Sequence, residues 1–146
     1  MNFEDFSVVE FPPVNPENPR FVYVLCWVGE SEDVPFYVGQ TTRLWGRLDD
    51  YYWAMFNACT DFRVGEAVRY LSTKGMRVVV KYRSSTDSRA DESKIIDVLQ
   101  KEGRRLLNDL SAFDYRSADQ SQQRLRGHRF LDETFLALAL PHSENN

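Results

Sequence analysis

FVYVLCWVGESEDVPFYVGQTTRLWGRLDDYY, residues 21–52, is the stretch on which the fold turns. Phe21 to Val28 is rich in β-branched and aromatic residues, a composition suited to a pleated, buried strand. Alternation puts Phe21, Tyr23, Leu25 and Trp27 on one face of it. The polar run GESEDVP turns the chain, and Phe36 to Gly39 reads as a second short strand, so the two make a hairpin. Thr41 or Thr42 can then cap a helix, because Leu44, Leu48, Tyr51, Tyr52 and Met55 recur at helical spacing up to about Ala58.

Downstream, Val64 to Leu71 is a second amphipathic stretch that ends at Lys74-Gly75, where glycine suits the left-handed residue closing a helix. Met76 to Tyr82 reads as a third strand. After the polar loop SSTDSR, a helix from about Ala90 to Glu102 is closed by Gly103. Residues 111–127 are polar and poor in apolar side chains, and RFLDETFLALAL suggests a final helix before Pro141. Upstream, residues 11–19, FPPVNPENP, hold four of the six prolines, which deny backbone donors and favour extended chain. The reading is an α+β domain over residues 21–110, a short three-stranded antiparallel sheet flanked by helices. An acidic, proline-rich arm (1–20) precedes it and an extension (111–146) with an expected short helix follows.

At 146 residues and 17.1 kDa, with 42% hydrophobic and 27% charged residues, the chain has the size and composition of one globular domain. Its longest apolar stretch, Phe21 to Val28, is far short of the roughly 20 residues a membrane span needs, so no membrane partner is expected. The acidic start is unlike a signal peptide, and Cys26 and Cys59 lack metal-ligand spacing, which points to a cytoplasmic protein. A net charge of −4 opposes free-standing affinity for nucleic acid. The charge is uneven, however: residues 1–33 carry Arg20 alone against seven acids, whereas residues 43–83 carry eight bases against four acids. The second segment is a candidate basic surface, with Arg43, Arg47, Arg63, Arg69 and Lys74 as its phosphate contacts.

Two residues stand out within helices. Ile95, Ile96 and Leu99 follow Glu92 by three, four and seven residues, so this carboxylate lies within an apolar stripe. Arg47, between Leu44 and Tyr51, edges the stripe of the first helix. Periodicity alone leaves open whether the two form a structural ion pair, or whether Glu92 faces water at a helix start.

FVYVL followed by FYVGQTTRLWGRLDDYY resembles the paired motifs of the GIY-YIG nuclease family, Val22-Tyr23 standing for the end of GIY and Tyr37-Val38-Gly39 for YIG. The family's helix arginine follows its second tyrosine by ten residues, a position held here by Arg47, and ESKIIDVLQKEGRRLLND supplies a helix glutamate, Glu92, and a closing asparagine, Asn108. The resemblance spans residues 21–108, with Phe21 in place of the first glycine and Gln40 where many relatives carry lysine.

The resemblance implies a metal-dependent endonuclease that hydrolyses phosphodiester bonds in DNA, with RNA left open. Glu92 would hold Mg²⁺ or Mn²⁺, since a hard cation prefers oxygen ligands and one carboxylate can suffice when phosphate and waters complete the shell. Arg47 would fork onto phosphate oxygens. Tyr23 or Tyr37 would position or deprotonate the attacking water; a phenol of ordinary pKa about 10 needs nearby positive charge to act as base. Asn108 would hold the site together by hydrogen bonding. A protein partner supplying nucleic-acid affinity fits the acidic arm, and the rival reading is a non-catalytic binding or scaffold module that keeps the fold.

Overall fold

The computed structural model describes residues 1–9, 20–42, 59–110 and 120–136. The helix expected over about 42–58, with Arg43 and Arg47, lies outside the described residues. Among those described, the elements are β1 (Ser7–Val9), β2 (Phe21–Val28), β3 (Asp33–Thr41), α1 (Cys59–Thr73), β4 (Val78–Ser84), α2 (Ser88–Lys101), a 3₁₀ turn (Leu107–Asp109) and α3 (Gln120–Leu131). A π-helical turn, Asp132–Leu136, continues α3. The class is α+β, as the sequence suggests.

The sheet has four described strands where the sequence predicts three, in the order β1-β4-β2-β3, and every neighbouring pair is antiparallel. The additional strand comes from the arm, which therefore belongs to the fold at least as far as Val9. Its pairing, Ser7 with Tyr82 and Val9 with Val80, is a tertiary event that a three-residue strand cannot announce locally. Phe6, just ahead of it, is buried. Phe3 meets Phe6 edge to face at 5.1 Å, and the Arg83 guanidinium lies 4.7 Å from the Phe6 ring centre while bonding Asp5 at 2.6 Å.

Alternation along β2 divides the core. Phe21, Tyr23, Leu25 and Trp27 join Val64, Ala67 and Leu71 of α1 and Phe130 and Leu131 of α3 on one face. Val22, Val24 and Cys26 join Ile95 and Leu99 of α2, with Phe6, on the other. A sheet covered on both faces explains why β2 is apolar throughout rather than at every second residue. Burial pushes the Cys26 thiol up to about 12, which leaves it protonated and unreactive at neutral pH.

Local chemistry sets the helix ends. Gly75 (φ 77°) and Gly103 (φ 84°) adopt the left-handed conformation after α1 and α2. The Asp87 carboxylate accepts from the Ala90 amide at 3.2 Å and caps α2. The last helix begins at Gln120 rather than near Arg129, within a run that reads as polar loop. Its buried residues, Gly127, Phe130 and Leu131, cluster at one end, so no apolar period marks its first turns.

Candidate active site at the edge of the sheet

The hairpin register sets Tyr23 opposite Gly39. A Cβ on Gly39 would stand 2.4 Å from both Cζ and the hydroxyl oxygen of Tyr23, so the phenol lies directly over the glycine and only hydrogen leaves it room. Tyr37 pairs with Leu25, one step along the same face, and its ring centre is 6.3 Å from that of Tyr23. Both rings are buried.

The next strand residue is held from across the chain. Asn108, in the 3₁₀ turn, accepts from the Val38 amide at 2.9 Å through Oδ1 and donates to the Val38 carbonyl at 2.8 Å through Nδ2. Its carboxamide thus substitutes for a neighbouring strand at the outer edge of β3, where these backbone groups would otherwise need water. Leu106 packs on the α2 face and Leu107 on the α1 face, so the chain crosses from one layer to the other at this edge.

Glu92 comes from the α2 layer. Ser88, Glu92, Ile95 and Leu99 are spaced four, three and four residues apart, one stripe of the helix, and Ser88, Ile95 and Leu99 are buried. The Ser88 hydroxyl donates to Gln40 Oε1 at 2.9 Å, fastening the first turn of α2 to the end of β3. Gln40 thus has a structural partner. Glu92, one turn further along the stripe, is half-buried. Loss of solvent raises its pKa above the ordinary glutamate range, with Arg89 opposing the shift. Among the described residues it has no hydrogen-bond or ion-pair partner.

Tyr23, Tyr37 and Asn108 are therefore brought together around residues 37–39 of β3. Glu92 stands in the α2 layer, one turn beyond the Ser88–Gln40 contact and across the sheet from the tyrosines, and Arg47 falls outside the described residues. Among the described residues the charged neighbour of this half-buried carboxylate is Arg89. Among the described residues no three His, Cys, Asp or Glu side chains gather, and a one-carboxylate site requires no such cluster.

The expected basic surface needs one correction. Arg69 and Lys74 are exposed on and just beyond α1, but Arg63 is buried, 7% exposed, with its guanidinium carbon 5.9 Å from the Tyr37 ring centre and Nη1 donating to the Leu110 carbonyl. Helix α1 starts at Cys59, ahead of the expected Val64, and this extra turn places Arg63 on its inner side. The missed signal was its spacing, four residues before Ala67 and eight before Leu71. Elsewhere the bases are engaged: Lys81 pairs with Asp33, Arg83 with Asp5 and Asp91, and Arg124 and His128 with the buried Glu66.

No family model matches the chain, and no curated protein and no solved structure matches it significantly. Among the described residues, no helix is long and apolar enough to cross a membrane.

Proposed function

We propose that the protein is a metal-dependent endonuclease of the GIY-YIG type, acting on DNA. The observation that carries this reading is the Asn108 bracket on Val38, because it joins a residue near the end of the resemblance to the strand bearing Tyr37, Val38 and Gly39. The Tyr23 ring over Gly39 supports it, since it ties the second half of each motif to the first by sterics. Glu92 would hold Mg²⁺ or Mn²⁺, which when bound would polarise a phosphoryl oxygen and lower the pKa of a water. Tyr23 and Tyr37, set beside one another, would orient the attacking water, and Arg47 would meet the phosphate oxygens as charge grows on them. Asn108 would act at one remove, holding β3 so that Tyr37 keeps its place.

Incubating the purified chain with supercoiled plasmid in Mg²⁺ or Mn²⁺, with and without chelator, tests the reading. The expected result is nicked or linear product with metal and none with chelator. Failure on double-stranded, single-stranded and branched DNA with either metal would favour a non-catalytic binding module. That second reading draws on the net charge of −4 and on Lys81 and Arg83 being occupied by acids, which both weaken phosphate affinity.

A further inference from the structure

We propose that the outer face of α3 is a docking surface for the phosphate backbone of nucleic acid, with Arg126 and Arg129 as its phosphate contacts and exposed Leu125 beside them. The way the helix is turned sets up this face. Helices α1 and α3 run side by side: the Arg124 guanidinium lies 5.2 Å from the Phe62 ring centre, His128 meets Glu66 at 3.2 Å, and Asp132 accepts from the Tyr70 hydroxyl at 2.7 Å. These contacts advance four residues at a time on both segments, about one helical turn per step. His128 also stacks on Tyr70, with ring centres 3.9 Å apart and an interplanar angle of 8°. Arg124 and His128 thus face α1 and its buried Glu66, while Gly127, Phe130 and Leu131 turn to the core. With α3 fixed on two sides, Gln122, Leu125, Arg126 and Arg129 form one exposed stripe.

Charge gives the class of partner. Helix α3 carries three arginines and no acid in 12 residues, within a chain whose net charge is −4. Arg105, also exposed, lies 5.0 Å from the Phe130 ring centre and brings a further guanidinium to the end of α3. The basic stretch stops at Asp132 and Glu133, of which Asp132 is already bonded by Tyr70. On the opposite layer, by contrast, Lys101 pairs with Asp97, and Arg83 with Asp5 and Asp91. A guanidinium fork matches phosphate oxygens. Residues three apart rise about 4.5 Å along a helix, so both arginines can reach successive phosphates of one strand. Leu125, 56% exposed, offers an apolar contact to the sugar between those phosphates. The choice of nucleic acid over an acidic protein rests on the nuclease reading; the basic stripe itself does not.

The test is fluorescence anisotropy of a labelled DNA duplex titrated with the full chain in EDTA over a salt series, where metal-dependent cleavage does not intervene. Wild type should bind with an affinity that falls as salt rises. R126Q/R129Q should bind roughly tenfold more weakly at low salt and lower the slope of log affinity on log salt by about 2, at about 0.9 per phosphate contact. K94Q/K101Q, the same loss of charge on α2, should keep the wild-type slope. Unlabelled duplex should displace the probe, and polyglutamate of equal charge should not. A wild type that binds no DNA, an R126Q/R129Q slope equal to wild type, or an equal loss in K94Q/K101Q overturns the proposal. Displacement by polyglutamate would assign the face to an acidic protein and overturn it as well. If R126Q/R129Q does not fold, R129Q alone decides by a slope change of about 1. DNA binding that depends on α3, in a protein that cuts none, would remove the nuclease reading and leave this surface standing. Cleavage by wild type together with an unchanged slope in R126Q/R129Q would do the reverse.

Discussion

The two edges of the sheet are closed by opposite means. At β3 the closure is a side chain: Asn108 spans 70 positions in sequence to satisfy both backbone groups of Val38, and the chain around it is anchored in both layers. At β4 it is a three-residue strand from the arm, held by buried Phe6 and by an Arg83–Asp5 pair whose carboxylate is 64% exposed. A buried bracket on a half-buried turn has a fixed geometry, whereas an exposed ion pair contributes little and is screened by salt. The candidate chemistry lies along the rigid edge. The arm edge instead covers bases of β4, with Lys81 against Phe3 and Arg83 against Phe6 and Asp5.

Substitutions can break this contrast, and the largest effect is expected at Gly39. An alanine there drives a methyl into the Tyr23 phenol within a packed face, and overpacking of that kind costs about 3 kcal/mol. Chemical denaturation should report that loss, and on the proposed function cleavage should fall with it because the displaced ring belongs to the candidate site. N108A comes next. It leaves the Val38 amide and carbonyl without their partners, a loss of about 2 kcal/mol on the scale of unsatisfied backbone groups. N108D keeps one acceptor but sets a carboxylate against the Val38 carbonyl, so it should not restore the stability of wild type.

A smaller effect should appear on the α2 side as a function of pH. Burial raises the Glu92 pKa in the fold above its value in the unfolded chain. Between those two values the folded state binds more protons than the unfolded, so Glu92 is tolerated fully at low pH and lowers stability as pH rises through its folded pKa. In metal-free buffer E92Q should therefore melt at or above wild type at neutral pH, with the gap closing on acidification below the glutamate range. A gap independent of pH would mean that ionisation of Glu92 is not its cause. The smallest effect belongs to D5N, which should change stability by less than about 1 kcal/mol while strengthening nucleic-acid binding at low salt, by freeing Arg83 from one acid. Unchanged binding over a salt series would show that the arm does not mask this strand. Deleting the arm would be a poorer probe, because it removes Phe6 from the core as well as the acids.

How far the sequence speaks differs between these regions for physical reasons. Strand β2, the hairpin and the glycine closures at Gly75 and Gly103 are legible because alternation and left-handed φ are local constraints. Strand β1 is not, since Ser7–Val9 has only its pairing with β4 to recommend it, and the acids and prolines around it argue for open chain. The start of α3 is hidden because a polar helix that buries only one end carries no apolar period. Of the candidate site, Tyr23, Tyr37, Glu92 and Asn108 are singled out by the family resemblance, which takes them in order along the chain. Arg63 appears in the sequence as one more base in a basic segment. Its burial depends on α1 beginning a turn early and on Leu110 offering a carbonyl from 47 residues away.

Glu92 separates the competing accounts most directly. The measurement is melting of wild type and E92Q in EDTA, beside plasmid cleavage in Mg²⁺. A metal-holding Glu92 predicts that E92Q keeps its fold, melts no lower than wild type, and loses cleavage by on the order of a thousandfold or more, the loss of a Lewis acid on a phosphoryl oxygen. A Glu92 that neutralises a buried arginine instead predicts destabilisation of about 3 to 5 kcal/mol. A melting temperature lowered to that extent, or cleavage retained by E92Q, would contradict the account.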